Sequence, residues 1–130
     1  MRLHILSDLH LEVDPHFRPP NTDADVLILD GDIAPGTDGL AAFAGHPGPV
    51  IYVPGNHEYY HSDITAAGAN LRQYAADAGI HFLDCGELVL DGVRFLGATL
   101  WTDFALYGMA AIDDAYAHAK RQIQIGRAHV

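Results

Sequence analysis

In Val50-Ile51-Tyr52-Val53-Pro54-Gly55-Asn56-His57-Glu58, an apolar run meets Pro-Gly, and an amide, an imidazole and a carboxylate follow at once. Pro-Gly is a chain-breaking pair. A buried strand that ends in a turn rich in polar side chains is how an α/β protein builds a site. The same plan occurs twice upstream. Leu3 to Ser7 runs into Asp8-Leu9-His10, and Val26 to Leu29 runs into Asp30-Gly31-Asp32. Taken singly, Asp8, Asp32 or Asn56 reads equally well as a helix cap or an Asx-turn residue. Three apolar runs, each ending in metal-type ligands, rarely coincide by chance.

Working outward, the apolar runs Arg2–Ser7, Asp25–Asp30 and Val50–Val53 predict strands, and Leu3, Ile5 and Leu6 of the first do not alternate strictly, as in a strand covered on both faces. His4 reads as a packed or edge histidine. Pro15, Pro19 and Pro20 keep a helix out of the second half of the loop from Asp8 to Thr22. Thr37 to Gly45 predicts a short helix capped by Thr37 or Asp38. Asp63 to Ala78 predicts a longer one, with Ile64, Ala67, Leu71, Tyr74, Ala75 and Ala78 on one stripe. Ser62 or Asp63 suits its N-cap, and Gly79 suits its C-terminal stop. Ile80–Leu83, Glu87–Leu90 and Val93–Leu96 read as short strands, the last two joined by the hairpin signal Asp91-Gly92. A last helical stretch is expected around Met109 to Gln122.

A length of 130 residues allows one domain with a real core. The net charge of −10 argues against a general nucleic-acid surface or an anionic membrane surface, since both need a basic face. An anionic substrate stays compatible, because bound divalent cations reverse the local sign. The single Cys85 precludes an internal disulfide framework. No segment is long enough to span a membrane, and the first apolar run stops at Asp8, too soon for a signal peptide. The expectation is a cytoplasmic protein. Protein partners cannot be read from the sequence.

Asp8, His10, Asp32 and Asn56 form a mixed oxygen and nitrogen donor set. It suits Mn, Fe, Zn or Co better than a thiolate-type site would. A carboxylate shared by two ions is the usual basis of two-metal phosphoester hydrolysis. In order and strand-end placement, Asp8-x-His10, Gly31-Asp32 and Gly55-Asn56-His57-Glu58 resemble the first three motif blocks of the calcineurin-like metallophosphoesterases. The flanking Ser7-Asp8-Leu9-His10-Leu11 and Val53 to Tyr60 look typical of small bacterial members. The resemblance implies the N-terminal half of a four-layered α/β sandwich. It also implies two divalent metal ions: Asp8 and His10 on the first, Asp32 bridging, Asn56 on the second. His57 then lies over the substrate as the catalytic residue, while a metal-activated hydroxide attacks phosphorus. The expected substrate is a small-molecule or nucleotide phosphomonoester or phosphodiester. Glu58 either orients His57 or a neighbouring loop, or is a plain turn carboxylate. Asp30 reads as a solvated strand end. Tyr59 and Tyr60 read as packing, and Trp101 to Asp103 as a structural corner.

The family pattern continues with a Gly-His block and a later Gly-His-x-His block, and neither occurs downstream of Glu58. His118 follows Ala117, and His129 stands at the chain's end. Ile125 to Val130 back-translates as ATC GGA AGA GCA CAC GTC, the start of a common sequencing adapter. The expectation is therefore that 1–124 is the N-terminal portion of one truncated metallophosphoesterase domain, with 125–130 an adapter-derived tail. On this reading the chain alone is weakly active or inactive, and exposes an apolar face and an unpaired sheet edge. The alternative is a non-catalytic metal-binding scaffold that keeps the phosphoesterase fold.

Overall fold

The computed structural model describes residues 1–122. The expectation for 125–130 therefore lies outside the described residues. Strands β1 (Leu3–Leu6), β2 (Val26–Asp30), β3 (Val50–Val53) and β4 (His81–Phe82) form one parallel sheet in the order β1-β2-β3-β4. Helix α1 (Asp38–Phe43) joins β2 to β3, and α2 (Ile64–Ala78) joins β3 to β4. A hairpin, β5 (Gly86–Leu90) and β6 (Val93–Gly97), follows, then α3 (Ile112–Gln122). This is the expected α/β architecture, with a parallel sheet and helices.

The period of two along each strand divides the core into two layers. Leu27, Leu29, Val50 and Tyr52 face Leu40, Phe43, Ala67, Leu71 and Ala75 of the helices. Val26, Ile51 and Val53 face the other way, onto Leu88, Leu90 and Phe95 of the hairpin. β2 and β3 are therefore covered on both sides, which explains why their sequences do not alternate. Burying a side chain such as Leu27, Leu29 or Ile51 contributes about 1.5–3 kcal/mol, so these two strands anchor the sheet.

β1 departs from the expectation of burial on both faces. Leu3 and Ile5 pair in register with Val26 and Ile28, on the hairpin side, yet they are 43% and 58% exposed. Its outer edge is unpaired among the described residues. The hairpin packs through Leu88, Leu90 and Phe95 on β2, β3 and Leu83, while its Val89, Val93 and Leu96 stay exposed. The expected open edge falls on β1, and the expected apolar exposure on β1 and on the outer face of the hairpin.

Helix α2 begins where the sequence says it should. The Asp63 carboxylate accepts from the backbone N–H of Thr65 (2.9 Å) and Ala66 (3.0 Å), and Gly79 ends the helix at φ +69°. Ala67, Leu71 and Ala75 are buried, whereas Tyr74 of the same stripe is exposed. Helix α1 is shorter than expected, and Thr37 precedes it without a side-chain cap bond. The hairpin turn has positive φ at both Asp91 (48°) and Gly92 (78°), as a two-residue turn between twisted strands requires.

Candidate metal centre

β1, β2 and β3 are parallel, so their C-terminal ends lie side by side, and the three loops that follow meet there. The β1 and β2 loops are laced together by backbone. Asp8 N–H donates to the Gly31 carbonyl (3.0 Å), His10 N–H to Asp32 (3.1 Å) and Leu11 N–H to Ile33 (2.9 Å). This lacing forces an unusual conformation. Asp8, His10 and Asp32 all have positive φ, at 53°, 45° and 53°. For a residue with a side chain that region costs about 1–2 kcal/mol, and such strain gathers where function fixes a side chain. Asp8 and His10 are therefore set in the left-handed region and not in an extended strand end. Each is turned by its own left-handed residue, and Asp8 Oδ1 stands 4.0 Å from His10 Nε2.

Asp32 is held from the third loop. Its Oδ1 accepts the His57 N–H at 2.9 Å, and its side chain lies flat on Gly55. A Cβ at position 55 would sit 2.5 Å from Asp32 N and 2.8 Å from Asp32 Cγ, and closer still to Oδ1. Gly31, at φ +82°, stacks its own backbone on Gly55 in the same way. The Pro-Gly of the third turn is thus a seat for the Asp32 carboxylate as well as a strand stop.

Glu58 is fully buried and locks the two loops together. Oε1 accepts from Ile33 N–H (2.9 Å) and the Tyr52 hydroxyl (2.9 Å), and Oε2 from Gly55 N–H (2.8 Å) and Asp32 N–H (3.2 Å). A buried carboxylate is tolerated only when so paired. Of its two readings, the first holds in part: Glu58 orients the Asp32 loop rather than the His57 ring. Burial, and then the Glu58 charge, push the Tyr52 hydroxyl well above the ordinary range of a phenol.

The outcome is a close group of donors. One ligand atom each from His10, Asp32 and His57 lies within 4.8 Å of the others, and all three residues are half-buried. Asp8 is at the rim of this group, with its side chain 69% exposed and its Oδ2 bonded to Ser7 Oγ. Asn56 donates its amide NH₂ to the Tyr60 hydroxyl at 2.9 Å, which leaves the acceptor end of the amide as the one suited to a cation. The donor chemistry fits a divalent ion of the Mn, Fe, Zn or Co type. The structure also brings His57 as near to His10 and Asp32 as a ligand would be.

Three further residues belong to this corner. Glu12 Oε1 lies 3.2 Å from His10 Nδ1 and 3.0 Å from His57 Nδ1. It continues the every-second-residue spacing of Asp8 and His10, the one sequence signal that could have found it. Tyr60 stacks on His57 with centroids 4.3 Å apart, so it lines the site, while Tyr59 is core. Thr99 Oγ1 donates to the Pro54 carbonyl at 2.6 Å, tying the exit of β6 to the third turn. Asp30 is exposed, as a solvated strand end should be.

Among known proteins, an uncharacterized protein of Acanthamoeba polyphaga mimivirus is 30% identical over 126 residues, which is 79% of this chain and 45% of that protein. The crystal structure of phosphopantetheinyl hydrolase from Mycobacterium tuberculosis superposes with a TM-score of 0.67 at 24% identity, covering 96% of this chain and 52% of that one. The chain thus spans about half the length of the relatives it matches. The family model described as calcineurin-like phosphoesterase matches residues 1–122, and the chain belongs to that metal-dependent family.

Proposed function

We propose that these loops form the metal and substrate corner of a phosphoesterase that hydrolyses a phosphomonoester or phosphodiester of a small molecule or nucleotide. One observation carries the reading: His10, Asp32 and His57 converge to within 4.8 Å at the ends of three parallel strands. Asp8 and His10 would hold a first cation, Asp32 would be shared, and Asn56 would hold a second. Bound divalent ions activate water and offset charge on phosphoryl oxygens. The chain's own residues do the rest. Asp32 is fixed by Gly55, His57 N–H and, through Glu58, its own N–H. Stacked on Tyr60, His57 presents a ring nitrogen able to hold the proton that the leaving oxygen takes up.

The net charge of −10 makes the cations necessary for an anionic substrate. It also disfavours a general nucleic-acid or membrane surface. No helix among the described residues is long and apolar enough to cross a membrane. A reducing, cytoplasmic setting belongs to the same proposal and is supported by the free Cys85. The sequence lacks the two later Gly-His blocks, so each cation has few protein ligands and turnover by these 130 residues is expected to be weak.

The test is release of nitrophenol from para-nitrophenyl phosphate and bis-para-nitrophenyl phosphate with added Mn. Mn-dependent release that Asp32→Ala and His57→Ala both abolish is the expected result, and the preferred ester separates monoesterase from diesterase. Equal rates in all three proteins would count against the proposal. Metal uptake without turnover would favour the scaffold alternative.

A further inference from the structure

Glu12 has a carboxylate oxygen within hydrogen-bond distance of a ring nitrogen on both histidines of the site. The turn that places it closes through Val13 N–H and Asp14 N–H, which donate to the His10 carbonyl at 2.7 and 3.1 Å. A single oxygen, Oε1, then meets two Nδ1 atoms, at 3.2 Å on His10 and 3.0 Å on His57. The two rings contact each other edge to face, with centroids 4.4 Å apart, and Tyr60 backs His57.

A carboxylate oxygen only accepts, so each Nδ1 that faces it must carry its hydrogen. The hydrogens on both rings are then placed together, and both Nε2 atoms are left without one. For His10 that nitrogen is the one 4.0 Å from Asp8 Oδ1. For His57 it is the remaining nitrogen available to a leaving oxygen. A histidine whose other nitrogen donates to a carboxylate is a better ligand and a better base.

We propose that Glu12 is a positioning residue that fixes both His10 and His57 as Nδ1–H imidazoles, presenting the Nε2 atom of each to cation and substrate. Its consequence for catalysis rests on the phosphoesterase reading; its geometry does not. A glutamate carboxyl ordinarily loses its proton well below the range in which imidazoles become neutral, so Oε1 acts as an acceptor towards both rings. The bland reading is a half-exposed carboxylate near two histidines, worth little to stability. Sharing one oxygen between two Nδ1 atoms is more specific than that reading requires.

The test uses the whole 130-residue chain, metal-free and labelled with ¹⁵N at histidine. Long-range proton–nitrogen spectra at about pH 8, where ordinary imidazoles are neutral, read the tautomer of each ring directly. His10 and His57 signals are assigned from His10→Gln and His57→Gln. Both rings are expected as Nδ1–H in the wild type. Both are expected to shift toward Nε2–H in Glu12→Ala, while His4 and His81, remote in the sheet, report an unchanged fold. Mn uptake by Glu12→Ala is expected to be about 10- to 100-fold weaker. Rings that are already Nε2–H in the wild type, or tautomers that Glu12→Ala leaves unchanged, overturn the proposal. An inactive chain with the expected tautomers instead counts against the phosphoesterase reading alone.

Discussion

Replacing Glu58 with glutamine changes one atom in a fully buried position, and its cost can be worked from the four bonds. Each carboxylate oxygen accepts two donors, Ile33 N–H and Tyr52 O–H on one, Gly55 N–H and Asp32 N–H on the other. Glutamine turns one oxygen into an NH₂, which faces two donors whichever way the amide is set. Each buried donor left unsatisfied costs about 1–3 kcal/mol, so the pair costs about 2–6 kcal/mol. That is a large share of a domain stability of roughly 5–15 kcal/mol. Tyr52→Phe is the internal comparison. It removes one donor and leaves the carboxylate three, so about 1–2 kcal/mol is expected. Urea unfolding followed by circular dichroism measures both. Glu58→Gln should also weaken Mn uptake, since either setting of the amide releases a backbone N–H that holds the site, Ile33 on one side or Asp32 and Gly55 on the other. A Glu58→Gln protein within about 0.5 kcal/mol of wild type, or more stable than Tyr52→Phe, would refute the role given to Glu58.

Three further outcomes are expected. Gly55→Ala should displace the Asp32 carboxylate, because the new Cβ would fall 2.8 Å from Cγ; Mn uptake should drop while α2 keeps its circular dichroism signal, and unchanged uptake would contradict the seat described above. Asp63→Ala should cost about 1 kcal/mol by removing the cap of α2, measured by urea midpoint, with no effect on metal binding. The Tyr52 hydroxyl is held above its ordinary value of 10.0 by burial and by Glu58. The unfolded chain ionises there and the folded chain does not, so this contribution is fully present below about pH 10 and is lost as the pH rises further. Tyr52→Phe should flatten the alkaline fall in urea midpoint, and an equal fall in both proteins would disprove it.

Much of the fold could be read directly because its signals are local. The stop at Pro54-Gly55, the cap at Asp63, the left-handed Gly79 and the turn at Asp91-Gly92 each act within a few residues. The donor residues could be read for the same reason, since they sit where apolar runs end. What stayed hidden depends on contacts far apart in sequence. Glu58 looks like a turn carboxylate until Ile33 and Asp32, some 25 residues away, are seen donating to it. The left-handed Asp8 and His10 arise from backbone bonds to the β2 loop, which no spacing rule between 8 and 10 contains. Glu12 needed His57, which is 45 positions away. Leu3 and Ile5 are apolar like a buried strand, and only the reach of the hairpin leaves them exposed.

Equilibrium uptake of Mn²⁺ by the 130-residue chain tests most directly whether the three strand-end loops make one metal centre. Electron paramagnetic resonance of free Mn²⁺ during titration gives the bound fraction without any need for turnover. Saturable uptake is expected, weakened about tenfold or more by either His10→Ala or Asp32→Ala. Absence of saturable uptake, or uptake that both variants retain in full, would contradict the account.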